Sequence, residues 1–142
     1  MWPPGMHLDR HPGAVYLYLT PIRSGGVEES IDANDVYAPA DPAVLDIGAD
    51  GRVLGVEWLE PCLPQRVVPD VEHHPGADRA IVWLVATDTR SVTRAARVPA
   101  DFGLPGELAL HFGPAGDLQG IEAQPASRLL PPALLGAPRT SR

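Results

Sequence analysis

Two stretches 65 residues apart carry the same punctuation. In AVLDIGADGRVLGVEWL (residues 43–59) and LALHFGPAGDLQGIEAQ (residues 108–124), Gly48, Gly51, Gly55 and Glu57 fall on Gly113, Gly116, Gly120 and Glu122. A chain that repeats its turn residues at a fixed offset repeats a structural unit, and each unit must bury its apolar face against something. Other matches extend the pattern. AVYLYL (Ala14 to Leu19) aligns with AIVWLV (Ala80 to Val85) at an offset of 66. HPGA occurs at residues 11–14 and 74–77, and Leu63-Pro64 recurs as Leu130-Pro131. The chain therefore divides into a first repeat, 1–70, with a proline-rich N-terminal tail, and a second repeat, 71–142, with VVPDVEHH near the junction. A unit of about 65 residues buries too little surface to be stable alone, so the copies are expected to pack as one compact domain.

With 17 prolines and 14 glycines, long helices are excluded and short strands joined by turns are expected. The expected fold class is mainly β: small antiparallel sheet units in two tandem copies, with pseudo-twofold symmetry and little helix. The strands are placed near 14–20, 26–31, 43–48 and 52–59, and again near 80–86, 91–98, 107–112 and 117–123. One helical turn is expected where each copy ends. Alternation puts Leu45, Ile47, Leu110 and Phe112 inside, with Asp46 and His111 facing the other way. Pro114 stands where Ala49 stands, and its fixed φ rules out a two-residue type I′ hairpin. A type I turn followed by a left-handed glycine, Gly51 or Gly116, fits both copies.

DIGADGRVLGVE (Asp46 to Glu57) also approximates a calcium loop, with Asp46, Asp50, Gly51 and Glu57 at loop positions 1, 5, 6 and 12. Gly48 supplies no side-chain oxygen at position 3, and the proline-rich flanks cannot form the two helices of an EF-hand. In the second copy His111 and Ala115 replace the aspartates while the glycines stay. The copies share turn chemistry, so no metal is expected. Alternation places Glu57 on one face with Val53 and Gly55, and Glu122 with Leu118 and Gly120. Each glutamate is read either as an exposed or ion-paired strand residue, or as half of a carboxylate pair lining a cleft between the repeats.

His11 and His74 become pseudo-equivalent, while His73-His74 read as turn residues before a proline. Cys62, in EPCLPQ, aligns with Ser127 and reads as a small half-buried residue. DTRSVTRAAR carries Arg90, Arg94 and Arg97 and reads as a solvated edge strand, where charge discourages unwanted pairing. Trp58 and Trp83 are expected in the core. No phosphate-cradling loop, nucleophile elbow or zinc spacing is present in the sequence.

The stretches HHPGADRAIVWLV and GELALHFGPAGDLQGIEAQPASRLLP, with LDIGADGRVLGVEWLEPCLP in the first copy, follow a strand of the type D-x-x-A-D-A-x-Y-I-x-L and then V-x-x-D-x-D-G-R-V-V-G-I-E-I-L-x-A-S-x-x-L-P. In this the chain resembles the bacterial domain of unknown function 2283 family, twice over. The first copy, RHPGAVYLYL, departs from it by lacking ADR. The resemblance implies a small antiparallel sheet with little helix, and no known reaction, cofactor or catalytic residue. Such domains are thought to occur beside small toxin-like proteins, which implies an antitoxin-like or other partner-binding role.

Charge points the same way. Residues 1–70 hold 11 acidic and 4 basic groups, net −7, and residues 71–142 hold 7 of each. An acidic surface repels phosphate backbones, so a basic protein is expected as partner rather than nucleic acid. The single cysteine forbids an internal disulfide and favours a reducing compartment. MWPPGMHLDR is unlike a signal peptide, and no apolar run is long enough to span a bilayer, so a cytoplasmic site without membrane contact is expected. The reading is a non-enzymatic protein-binding module, without a cofactor, as a monomer of two repeats or a weak homodimer. Its candidate binding residues are Asp46, Glu57, His111 and Glu122. The alternative is a small hydrolase-like or ligand-binding protein using Glu57 and Glu122.

Overall fold

The computed structural model describes residues 3, 5–20, 27–59 and 67–136. The first half contains β1 (His7–His11), β2 (Ala14–Tyr18), β3 (Val27–Asp32), β4 (Ala43–Gly48) and β5 (Val53–Leu59). The second contains β6 (Asp70–His74), β7 (Arg79–Trp83), β8 (Arg94–Arg97), β9 (Glu107–Phe112) and β10 (Leu118–Gln124), then the short helices α1 (Ala126–Leu129) and α2 (Pro132–Gly136). Each half is one antiparallel five-stranded sheet, in the orders β1-β2-β5-β4-β3 and β6-β7-β10-β9-β8. Within each, a meander of three strands returns to lie beside the second strand, a Greek-key order read backwards.

The register makes the duplication residue-specific. Tyr16 and Tyr18 stand opposite Glu57 and Gly55, as Ile81 and Trp83 stand opposite Glu122 and Gly120. The offset is therefore 65 on β2 and β7 as well, which corrects the 66 that alignment of the apolar runs suggests. It falls to 63 on the outermost strands, where His11 and His74 are equivalent. The difference lies in the turns: Pro12-Gly13 alone joins β1 to β2, whereas residues 75–78 join β6 to β7. HLDRH and DVEHH form strands although their polar composition reads as tail and junction. Each adds little apolar surface, and pairing to β2 or β7 supplies the order. His73 and His74 accordingly lie in β6 and not in a turn.

One face of each sheet enters a single hydrophobic cluster. Val15, Leu17, Leu45, Val56 and Trp58 come from the first sheet, and Val82, Leu110, Phe112 and Ile121 from the second. Leu45, Ile47, Leu110 and Phe112 are buried as expected. Fully burying each such side chain contributes about 1.5–3 kcal/mol, and neither sheet could cover its own apolar face.

The halves grip each other reciprocally. Gly51 and Gly116 have φ of +84° and +82°, and Gly51 N–H donates to Gly48 C=O at 2.9 Å as Gly116 N–H does to Gly113 at 3.0 Å. These are the expected three-residue turns. The Gly116 tip seats on the first half, where Asp41 N–H donates to its carbonyl at 2.7 Å and an added Cβ would fall on the Pro39 carbonyl. The Gly51 tip seats on Pro105 of the second half, at the position equivalent to Ala40. Such an exchange of equivalent contacts is what a twofold axis produces. Arg52 adds donors to the carbonyls of Ser127 at 2.8 Å and Leu130 at 3.1 Å, and Tyr37 packs on Phe112 with ring centres 4.9 Å apart.

Candidate functional site

The candidate residues lie on the sheet faces turned away from the shared core, and a bulge puts them there. On β5 the register steps from Asp46↔Gly55 to Ile47↔Val53, leaving Leu54 as the extra residue. On β10 it steps over Gln119 in the same way. Past the bulge Val53 and Leu118 turn into the core, while Gly55 and Glu57, with Gly120 and Glu122, face out. Simple alternation, which groups Val53 with Glu57 and Leu118 with Glu122, fails for this reason.

On the second sheet the outward side chains form one connected network. Arg79 Nε donates to Glu122 Oε2 at 2.5 Å, and His111 Nε2 faces Glu122 Oε1 at 2.8 Å. Burial works to raise the Glu122 pKa, but the hydrogen bonds and charges of Arg79 and His111 outweigh it and hold the carboxyl below the ordinary glutamate range. An ionised carboxylate only accepts, so the proton of the second bond sits on His111 Nε2. The His111 ring packs on Trp83, whose Nε1 donates to Glu72 at 3.0 Å. Trp83 is thus buried on the outward face, not in the core as its sequence context suggests. Gly120 makes this possible, since a Cβ there would lie 2.9 Å from the indole ring. Glu72 also meets His74 at 2.7 Å, and Arg90 covers Trp83 at 4.4 Å from the ring centre. Hydrogen bonds from Trp83 and His74 lower the Glu72 pKa against its burial.

The first sheet has different chemistry at the same positions. Asp46, equivalent to His111, accepts from Tyr16 Oη at 2.5 Å and from Ser30 Oγ at 2.8 Å. Burial, then the Asp46 hydrogen bond and negative charge, push the Tyr16 hydroxyl well above its usual range. The Tyr16 ring leans across Gly55, where a Cβ would meet it at 2.5 Å, and stacks on Tyr18 at 4.2 Å. Glu57 stands opposite Tyr16 and Val44 in the next row, half-buried, with no hydrogen-bond or ion-pair partner among the described residues.

The fold therefore joins His111 to Glu122 and leaves Asp46 and Glu57 as neighbours without a bond. It does not bring Glu57 and Glu122 across a cleft, because each faces outward from its own sheet. The calcium-loop residues are not gathered either: Asp50 is at the turn, bonded to Arg52 at 2.9 Å, while Asp46 is turned to Tyr16. Among the described residues no group of three metal-ligating side chains is assembled. Arg90, Arg94 and Arg97 are engaged by Trp83, Tyr37 and Glu107, and β8 is the edge strand expected. Cys62 lies outside the described residues, as does Trp2 of the proline-rich N-terminal tail. Sequence reasoning missed Tyr16, Glu72, Arg79 and Trp83; the signal was their place on the outward rows of β2, β6 and β7. No helix among the described residues is long and apolar enough to cross a membrane. Comparison with protein-family models, curated proteins and solved structures finds no match.

Proposed function

We propose that this is a non-enzymatic protein-binding module whose acidic first half meets a basic partner, in the manner of an antitoxin. The supporting observation is that two halves of identical topology differ in charge: Asp70 lies in β6, so residues 1–69 carry −6 and residues 70–142 carry −1. Folding alone does not demand that difference, because the nearly neutral second half builds the same sheet. The second half engages its outward charges internally, through Arg79–Glu122–His111 and His74–Glu72, while in the first half Glu57 has no ion-pair partner among the described residues. Complementary charge of this kind steers association and selects partners. Affinity capture from the native host with the full chain, at low and at raised salt, tests the reading. The expected result is one basic protein retained at low salt and released when the charges are screened. Recovery of no protein, or of nucleic acid in its place, refutes it.

A further inference from the structure

We propose that the outward face of the first sheet seats an arginine side chain of the basic partner on Glu57, above Ala14, in the position that Arg79 occupies on Glu122. This rests on the protein-binding reading and specifies its contact. The registers make Ala14 equivalent to Arg79, Glu57 to Glu122 and Asp46 to His111. In the second half both Glu122 oxygens are occupied by the chain's own donors, Arg79 Nε and His111 Nε2. In the first half both donors are gone. Ala14 ends at a methyl group, so no side chain from residue 14 fills the volume that the arginine takes on the other sheet. Asp46 is an acceptor, and its oxygens are turned to Tyr16 and Ser30.

The second half thus serves as a worked instance of what this position binds. The same glutamate, on the same strand row, holds a guanidinium. A half-buried carboxylate without a donor is poorly solvated, and a charge-assisted pair is its strongest remedy. The flanks favour arginine over lysine. Asp9, Tyr16 and Glu57 stand in one cross-strand row, from which the Tyr16 ring leans over Gly55 toward Asp46. A planar guanidinium can stack on that ring while its fork meets a carboxylate, which an ammonium cannot do.

The test is a titration of the 15N-labelled full chain at low ionic strength with capped Gly-Arg-Gly and, separately, capped Gly-Lys-Gly, read by amide shifts. Shifts are expected at residues 14–16 and 56–58, at lower concentration for the arginine peptide. Glu57→Gln removes the acceptor, and Ala14→Arg fills the seat from within. Each is expected to weaken binding about fivefold, the range of a single exposed pair. Glu107→Gln, which breaks a surface pair with Arg97 on the other sheet, is expected to leave binding unchanged. Shifts confined to the second sheet, no shifts at all, or unaltered affinity in Glu57→Gln with a native spectrum would overturn the seat. Capture from the host separates this from the broader reading. A basic partner held equally by wild type and Glu57→Gln refutes the seat and leaves the binding role standing. A partner held by neither refutes both.

Discussion

Replacing Gly116 by alanine should destabilise the chain far more than the same change at Gly103. Both glycines have positive φ, +82° and +73°. A side chain in that region costs about 1–2 kcal/mol, so both variants carry that penalty. Around Gly103 nothing lies within 4 Å of an added Cβ, so its cost ends there. At Gly116 the Cβ would fall on the backbone carbonyl of Pro39, on the opposite half. The hairpin tip or the receiving loop must move, which adds about 1–3 kcal/mol as overpacking does elsewhere. For a domain this size the extra cost lowers the melting temperature by about 4–12 °C relative to Gly103→Ala. Gly51→Ala should fall between them, because its obstacle is the ring of Pro105, a side chain that can yield. Urea denaturation and thermal melts of the three variants give the comparison. Equal destabilisation by Gly116→Ala and Gly103→Ala would show that the tip does not seat on the first half.

Truncating Phe112, fully buried beneath Tyr37, should cost about 3–5 kcal/mol and shift a single cooperative transition; two separate transitions would contradict a joint core. The lowered Glu122 pKa means that its contribution is present above the unfolded value of 4.5 and is lost as pH falls through the folded one. Unfolding midpoints measured between pH 3 and pH 7, ranges chosen to bracket about the carboxylate region, should therefore decline less steeply in Glu122→Gln than in wild type. The raised Tyr16 pKa has the opposite sense: its contribution is complete below the unfolded value of 10.0 and disappears as pH climbs toward the folded one. Alkaline difference spectra should show one tyrosine titrating late, and Asp46→Asn should return it toward the ordinary range.

Repeated glycines and apolar alternation are local signals, and they made the duplication, the central strands and the left-handed turns legible in the sequence. Pro114 settled the turn type because its φ admits few alternatives. The outermost strands were not legible, since HLDRH and DVEHH take their order from pairing with β2 and β7. The bulges at Leu54 and Gln119 were hidden for a similar reason. A register step is decided between strands, and it silently inverts which residues share a face. Asp46 and His111 could be named as outward residues, and Glu57 and Glu122 as candidate carboxylates, but not Arg79 or Tyr16 as their partners. Those contacts join positions 43 and 30 residues apart in the chain.

In the proposed binding mode the first sheet's outward carboxylates meet a basic partner, while the second sheet's are satisfied from within. Carboxyl footprinting reads this directly: Asp and Glu side chains are labelled with a carbodiimide and an amine, in the full chain alone and in complex with the captured partner. Binding should suppress labelling at Asp9 and Glu57 and leave Glu72 and Glu122 unchanged. Protection confined to Glu72 and Glu122, with Asp9 and Glu57 labelled as in the free chain, would contradict the account.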